Sequence, residues 1–136
     1  MFKASVEVYY DDTDCGGVVY HANYLNFFER ARTQLFKSVG VFPAEWMKKD
    51  VIFAVIRANT EYKGPAFYGD TLEIETAITD VRGARLSFTY SVKRGPGGPL
   101  IVTGRTDMAC VSSAMKPIKI PDEILDRILP ITERAK

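Results

Sequence analysis

From Tyr24 to Val39 the apolar residues Tyr24, Leu25, Phe27, Phe28, Ala31, Leu35, Phe36 and Val39 fall on one continuous arc of a helix. At about 100° per residue that arc covers roughly half the circumference. So wide and so aromatic a stripe suits a helix gripped by a curved sheet. Arg32 lies inside the arc and Glu29 on its border, one turn apart, so the charged head is expected either to pair, with Glu29 or another acid, or to reach back out to water. Gly40 supplies the stop.

The remaining segments supply strands. Phe2 to Tyr10 alternates, with Phe2, Ala4, Val6, Val8 and Tyr10 on one face. Thr71 to Asp80 and Arg85 to Lys93 alternate in the same way around Arg82-Gly83 and read as a hairpin. Leu100 to about Ser112 is a long final strand. In Val51 to Tyr62 the unbroken run Val51-Ile52-Phe53-Ala54-Val55-Ile56 predicts burial on both faces. Short helices are expected at Phe42–Lys49, with Pro43 early in the first turn, and from Pro121 or Asp122 to Leu129. The order is strand, long helix, then four strands expected to run as an antiparallel meander. It defines an α+β class and a single domain over residues 1–136. One helix cannot cover both faces of five strands, so the chain is expected either to close a barrel or to bury the spare face and the edges against another copy.

Between the first strand and the helix lies a turn dense in carboxylates, Asp11-Asp12-Thr13-Asp14, followed by Cys15 and the pair Gly16-Gly17. The only histidine, His21, stands where the helix begins. No Ser, Thr or Asp directly precedes Ala22 to occupy the free amides of the first turn, although Asn23 could cap a later start. Uncapped N–H groups at the positive end of a helix can hold a carbonyl oxygen as it becomes an oxyanion. The two glycines let Asp14 fold back beside them. A carboxylate facing such donors fits hydrolysis of an activated carbonyl, by direct attack or by activating water.

The run from Val8 to Tyr24, followed by Phe28-Glu29-Arg30-Ala31-Arg32, resembles the signature of the 4-hydroxybenzoyl-CoA thioesterase family of hotdog-fold enzymes, in its YbgC-like acyl-CoA thioesterase branch. The likeness continues through Glu61-Tyr62, Pro65-Ala66 and Asp70-Thr71-Leu72-Glu73-Ile74 to Met115-Lys116-Pro117. It implies a hotdog fold, a five-stranded antiparallel sheet wrapped around one long central helix. It also implies a homotetramer built as a dimer of dimers, with the active site between subunits. It further implies Asp14 as the catalytic carboxylate and the His21 backbone N–H as the donor to the thioester oxygen. The His21 imidazole belongs to the site without an assigned role. Gly17, Val18, Tyr20 and Tyr24, from the turn and the helix start, are the expected substrate-binding residues. An acyl-CoA substrate is implied, with acyl carrier protein as a possible alternative carrier and a non-catalytic acyl-thioester-binding protein as the rival class. Because thiolate leaves readily, no metal or cofactor is expected.

Other chemistries fit the turn less well. An EF-hand loop starting at Asp12 would put Gly16 and Asn23 where liganding oxygens are required. A thiol nucleophile at Cys15 with His21 lacks a third group. Cys15 and Cys110 are too few and too far apart for a framework of bridges or metal ligands. Net charge is +1, against a general nucleic-acid binder, and no apolar run is long enough to cross a bilayer. With no signal-peptide pattern at Met1-Phe2-Lys3, a cytoplasmic location is expected. The charges are uneven, however. Arg82, Arg85, Lys93, Arg94, Arg105, Lys116 and Lys119 meet only Asp107 between positions 82 and 119, so Arg85 and Lys116 are expected on a surface that holds coenzyme A phosphates.

Overall fold

The computed structural model describes residues 2–133. Five strands form the sheet: β1 (Phe2–Glu7), β2 (Ile52–Tyr62), β3 (Thr71–Arg82), β4 (Arg85–Lys93) and β5 (Leu100–Val111). The helices are α1 (Asn23–Ser38), α2 (Pro43–Met47) and α3 (Asp122–Ile128). All strand pairings are antiparallel, in the order β1-β3-β4-β5-β2. The inward faces of the strands close on α1, giving the hotdog arrangement. Along α1, Tyr24, Phe27, Phe28, Ala31, Leu35 and Phe36 are buried against Leu72, Ile74, Ile78, Phe88, Val102 and Met108. Each large side chain taken wholly out of water contributes about 1.5–3 kcal/mol.

Gly40, with φ +82°, ends α1. The Gly40 N–H reaches Lys37 O and the Val41 N–H reaches Phe36 O, which satisfies the last carbonyls of the helix while Val41 tucks into the core. From α3, Arg127 adds a bond to Val39 O.

Several expectations are corrected. The meander covers only β3, β4 and β5. Instead of pairing with β3, β2 crosses to the far side of β5, and β1 takes the place beside β3. The linker from Lys63 to Asp70, with Gly64, Pro65 and Gly69, is long enough to make that crossing where a tight hairpin could not. As a consequence β2 is an edge, and its apolar run is not buried on both faces: Val55 and Ile56 are 47% and 48% exposed. Leu25 is 43% exposed, so the apolar arc of α1 is narrower than its spacing suggests. Glu29 and Arg32 form no ion pair. Arg32 is half-buried and approaches Tyr90, where burial pushes the phenol's pKa up and the guanidinium opposes part of that rise.

The outer face of the sheet is polar, which removes the need to bury it. Lys3 pairs with Glu73, Lys93 with Glu75, and Arg105 with both Asp80 and Asp107. Ser87 donates to Asp107 at 2.7 Å, and Arg57 approaches the same carboxylate from β2. The hydrogen bond from Ser87, and then Arg105, hold the Asp107 carboxyl below the usual range. Much of the basic excess counted along the chain is thus neutralised by acids from β3 and by Asp107.

One contact sets the distance between α1 and the sheet. Phe28 stacks on Tyr90 with ring centroids 4.2 Å apart and lies directly over Gly104. A Cβ at Gly104 would stand 2.5 Å from the Phe28 ring. Gly104→Ala should therefore destabilise the protein by about 1–3 kcal/mol in chemical denaturation, as expected of an overpacked core, and Phe28→Leu in the same background should recover part of the loss. An unchanged midpoint for Gly104→Ala would contradict this packing.

Candidate active site

The acidic turn folds as a small hairpin docked against the start of α1. After a 3₁₀ turn at Tyr10–Asp12, Thr13 pairs with Val19 and the Asp14 N–H reaches Val18 O at 2.8 Å. Gly17 turns the chain at φ +82°, a conformation that suits glycine. The hairpin is held to the linker between β2 and β3, since Val18 bridges to Phe67 and the Val19 N–H donates to Ala66 O.

Asp14 is exposed at the tip of this hairpin. Its Oδ1 accepts the Gly16 N–H at 2.8 Å. A Cβ on Gly16 would lie only 3.1 Å from that oxygen, so the small residue lets the carboxylate fold over the turn. No group among the described residues bonds Oδ2, which is left free to act.

Asp12, two residues earlier, does different work. It is buried, and its carboxylate accepts the Tyr9 N–H and the Asn23 side-chain amide, each at 2.8 Å. Its carbonyl accepts the Tyr20 N–H. The hairpin is thereby strapped to the first residue of α1. Asn23 does not act as the cap: the N-cap is Ala22, which supplies no side-chain bond.

The amides of Asn23, Tyr24 and Leu25 turn back on the carbonyls of Tyr20, His21 and Ala22. Those of His21 and Ala22 donate to no acceptor among the described residues. They belong to exposed residues directly before the 16-residue helix, with the positive end of its dipole behind them.

Aromatic rings surround this opening. The exposed His21 ring lies 4.5 Å from Tyr20 and meets the edge of Tyr62 at 6.2 Å. Tyr62, at the end of β2, donates its hydroxyl to His21 O at 3.0 Å. Tyr24 is 3% exposed and packs against Phe27 and Tyr62 rather than opening to solvent. Burial first, then Tyr62 and Asp70, push the Tyr24 phenol up to about 12, so it stays neutral at any physiological pH. Arg94 lies 5.5 Å over the Phe67 ring and within 4.0 Å of Asp70, which in turn accepts the Phe67 N–H.

The structure thus brings Asp14, Gly17, Val18, Tyr20, His21 and Tyr24 together around one hairpin and helix start. It does not bring Arg85 and Lys116 there within one chain. Arg85 pairs with Ala109, and Lys116 follows β5 in the turn that bonds back to Ser112, whereas the opening lies where Tyr62 pairs with Val102. The seven residues of β5 between those levels span roughly 23 Å. Sequence patterns give Asp12, Tyr62 and Phe67 no role at this site, and Asn23 bonds Asp12 instead of capping the helix. Asp12 sits among like acids, and Tyr62 is 41 residues from the carbonyl it bonds, beyond the reach of any local pattern.

Comparison with known proteins gives a consistent result. The sequence profile described as the thioesterase-like superfamily matches residues 8–128. An acyl-CoA thioester hydrolase, YbgC, from Escherichia coli is 40% identical over 92% of this chain and 93% of its own. Among solved structures, a DHNA-CoA thioesterase from Staphylococcus aureus is 31% identical, covering 94% of this chain and 83% of its own, with a TM-score of 0.82. The 4-hydroxybenzoyl-CoA thioesterase of a Pseudomonas species has a TM-score of 0.82 over 92% of this chain and 96% of its own; at 22% identity this speaks for the fold alone. A profile match over most of the chain, on a sheet closed around one helix, establishes that the protein belongs to the thioesterase-like superfamily.

Proposed function

We propose that this protein hydrolyses acyl-CoA thioesters, with Asp14 as the reacting carboxylate and the His21 N–H as donor to the thioester oxygen. One observation carries the reading: the amides of His21 and Ala22, just before α1, have no acceptor among the described residues and stand beside the hairpin that carries a carboxylate with a free oxygen. The name of the YbgC relative, an acyl-CoA thioester hydrolase, points to the same substrate class.

As the carbonyl carbon is attacked, its oxygen gains negative charge, and a fixed N–H at the positive end of a helix stabilises it. A single donor of this kind is worth about 10²–10³ in kcat. The free oxygen of Asp14 serves either route, attacking the carbonyl carbon itself or taking the proton of an attacking water. The C–S bond then breaks with its electron pair on sulfur, and the thiolate takes up a proton to leave as coenzyme A. Where water attacks, the free acid forms directly with Asp14 holding the water's proton; where Asp14 attacks, water hydrolyses the resulting acyl–Asp14 anhydride, releasing the free acid and restoring the carboxylate. Val18, Tyr20 and the Gly17 turn border the approach to Asp14, and Tyr24 backs it from the core.

We further propose that β2 joins a second copy edge to edge and that such dimers pair into a tetramer. Exposed Val55 and Ile56 on a strand with unpaired backbone groups support this. In such an assembly Arg85 and Lys116, remote from Asp14 of their own chain, would serve phosphates bound at a neighbouring site. Among the described residues no helix is long and apolar enough to cross a membrane. Coenzyme A thioesters are cytoplasmic metabolites, which fits a cytoplasmic enzyme.

Asp14→Asn tests the chemistry, because Asn keeps the size and the turn bonding but is neither nucleophile nor useful base. Assayed by thiol release against acetyl-, benzoyl- and palmitoyl-CoA, it should lower kcat by at least ~10²–10⁴ while KM changes far less. Asp11→Asn, at an exposed position, should stay near wild type. A folded Asp14→Asn protein within about threefold of wild type would contradict the mechanism. Comparing each acyl group on coenzyme A and on acyl carrier protein identifies the carrier, and thiol release from neither would indicate a binding protein. Light scattering at micromolar concentration should report a tetramer; a monomer would contradict the assembly.

A further inference from the structure

We propose that Tyr62 is a positioning residue for this site: its hydroxyl fixes the peptide between His21 and Ala22 so that the Ala22 N–H becomes a second oxyanion donor beside that of His21. The inference rests on the thioesterase reading above and adds a donor and its support to it.

The Tyr62 hydroxyl donates to His21 O at 3.0 Å. The other donor to that carbonyl outside the regular helix bonds, the Tyr24 N–H, is longer at 3.4 Å. A hydrogen bond accepted at a peptide's C=O polarises its N–H, and bonds in such chains strengthen one another by roughly 10–30%. The N–H polarised here is that of Ala22, which has no acceptor among the described residues. Its carbonyl partner is held, its donor is free, and it is adjacent in sequence to the His21 N–H.

The placement of Tyr62 depends on a built irregularity. In β2, Phe53 and Val55 lie opposite Cys110 and Met108, on the α1 side of the sheet. A bulge at Ile56 then shifts the register, so that Ala58, Thr60 and Tyr62 lie opposite Thr106, Gly104 and Val102 and take the α1 side in turn. With no bulge, period-two alternation would point Tyr62 to the outer face. One side of the half-exposed ring packs against Tyr24 at 5.8 Å and His21 at 6.2 Å, which turns the hydroxyl toward the helix start. A helix start without a side-chain cap needs such an external hold if its leading amides are to keep one orientation.

Tyr62→Phe removes the hydroxyl and keeps the ring. With the best substrate among acetyl-, benzoyl- and palmitoyl-CoA, kcat should fall about tenfold, part of the value of one oxyanion donor, with KM within about twofold and the melting temperature unchanged. In ¹⁵N-labelled protein without substrate, the Ala22 amide resonance should move upfield as the peptide loses its polarising bond. An unchanged kcat, while Asp14→Asn remains inactive, overturns the proposal and leaves the thioesterase reading standing. A raised KM at constant kcat overturns it by making Tyr62 a substrate contact. A lower melting temperature with unchanged kcat per folded molecule, or an Ala22 resonance that does not move, overturns it by leaving Tyr62 a packing residue. Full activity in both Tyr62→Phe and Asp14→Asn overturns the proposal together with the Asp14 mechanism, and no thiol release from the wild-type protein would remove the thioesterase reading itself.

Discussion

The start of α1 is held from outside rather than capped from within, and the geometry around the site depends on that. A helix normally occupies its first amides with a side chain of its own N-cap. Here the N-cap is Ala22, and the restraint comes from Asp12, whose buried carboxylate joins Tyr9 to Asn23, and from Tyr62 at the end of β2. Two partners taking up other groups leave the His21 and Ala22 amides without acceptors and still fixed. Burying Asp12 is tolerable because each oxygen of its carboxyl group accepts a hydrogen bond. The same strap sets where the Asp14 hairpin sits, so the carboxylate and the helix end are positioned by one piece of structure.

That economy extends to the sheet. Phe28 over Gly104 and against Tyr90 fixes how closely α1 lies in the curve, and the bulge at Ile56 decides which residues at the end of β2 face the helix. The outer face, laced by Arg105, Asp107, Asp80 and Ser87, is comfortable in water, so the pressure toward self-association comes from the β2 edge instead. Burying a whole sheet face is the weaker reason for an oligomer here, and completing an edge the stronger one.

Much of the fold could be read from local patterns because those patterns are set by local physics. The helix stripe from Tyr24 to Phe36 and the alternation from Arg85 to Lys93 each follow from which side chains must leave water. The acidic turn with Gly16 and Gly17 was likewise legible, since only glycine suits the φ of +82° at Gly17. Strand order was not. Alternation says which face of β2 is apolar but nothing about whether its neighbour is β3 or β5, and the run from Val51 to Ile56 reads as buried whether the strand is central or an edge awaiting a partner. Glu29 and Arg32 have the spacing of an ion pair, yet the half-buried guanidinium turns toward Tyr90 instead. Asp11, Asp12 and Asp14 are equivalent in composition, and only the hairpin makes one buried strap and one exposed carboxylate.

The central claim is that a thioester carbonyl bound at the start of α1 is polarised by its free amides. Infrared difference spectroscopy on the Asp14→Asn protein, with an acyl-CoA carrying ¹³C at the thioester carbonyl, measures this without turnover. The account predicts that the carbonyl band of the bound substrate moves to lower frequency than in water, as hydrogen bonds to the oxygen weaken the C=O bond. A bound substrate whose carbonyl band stays at its frequency in water, or rises, would contradict it.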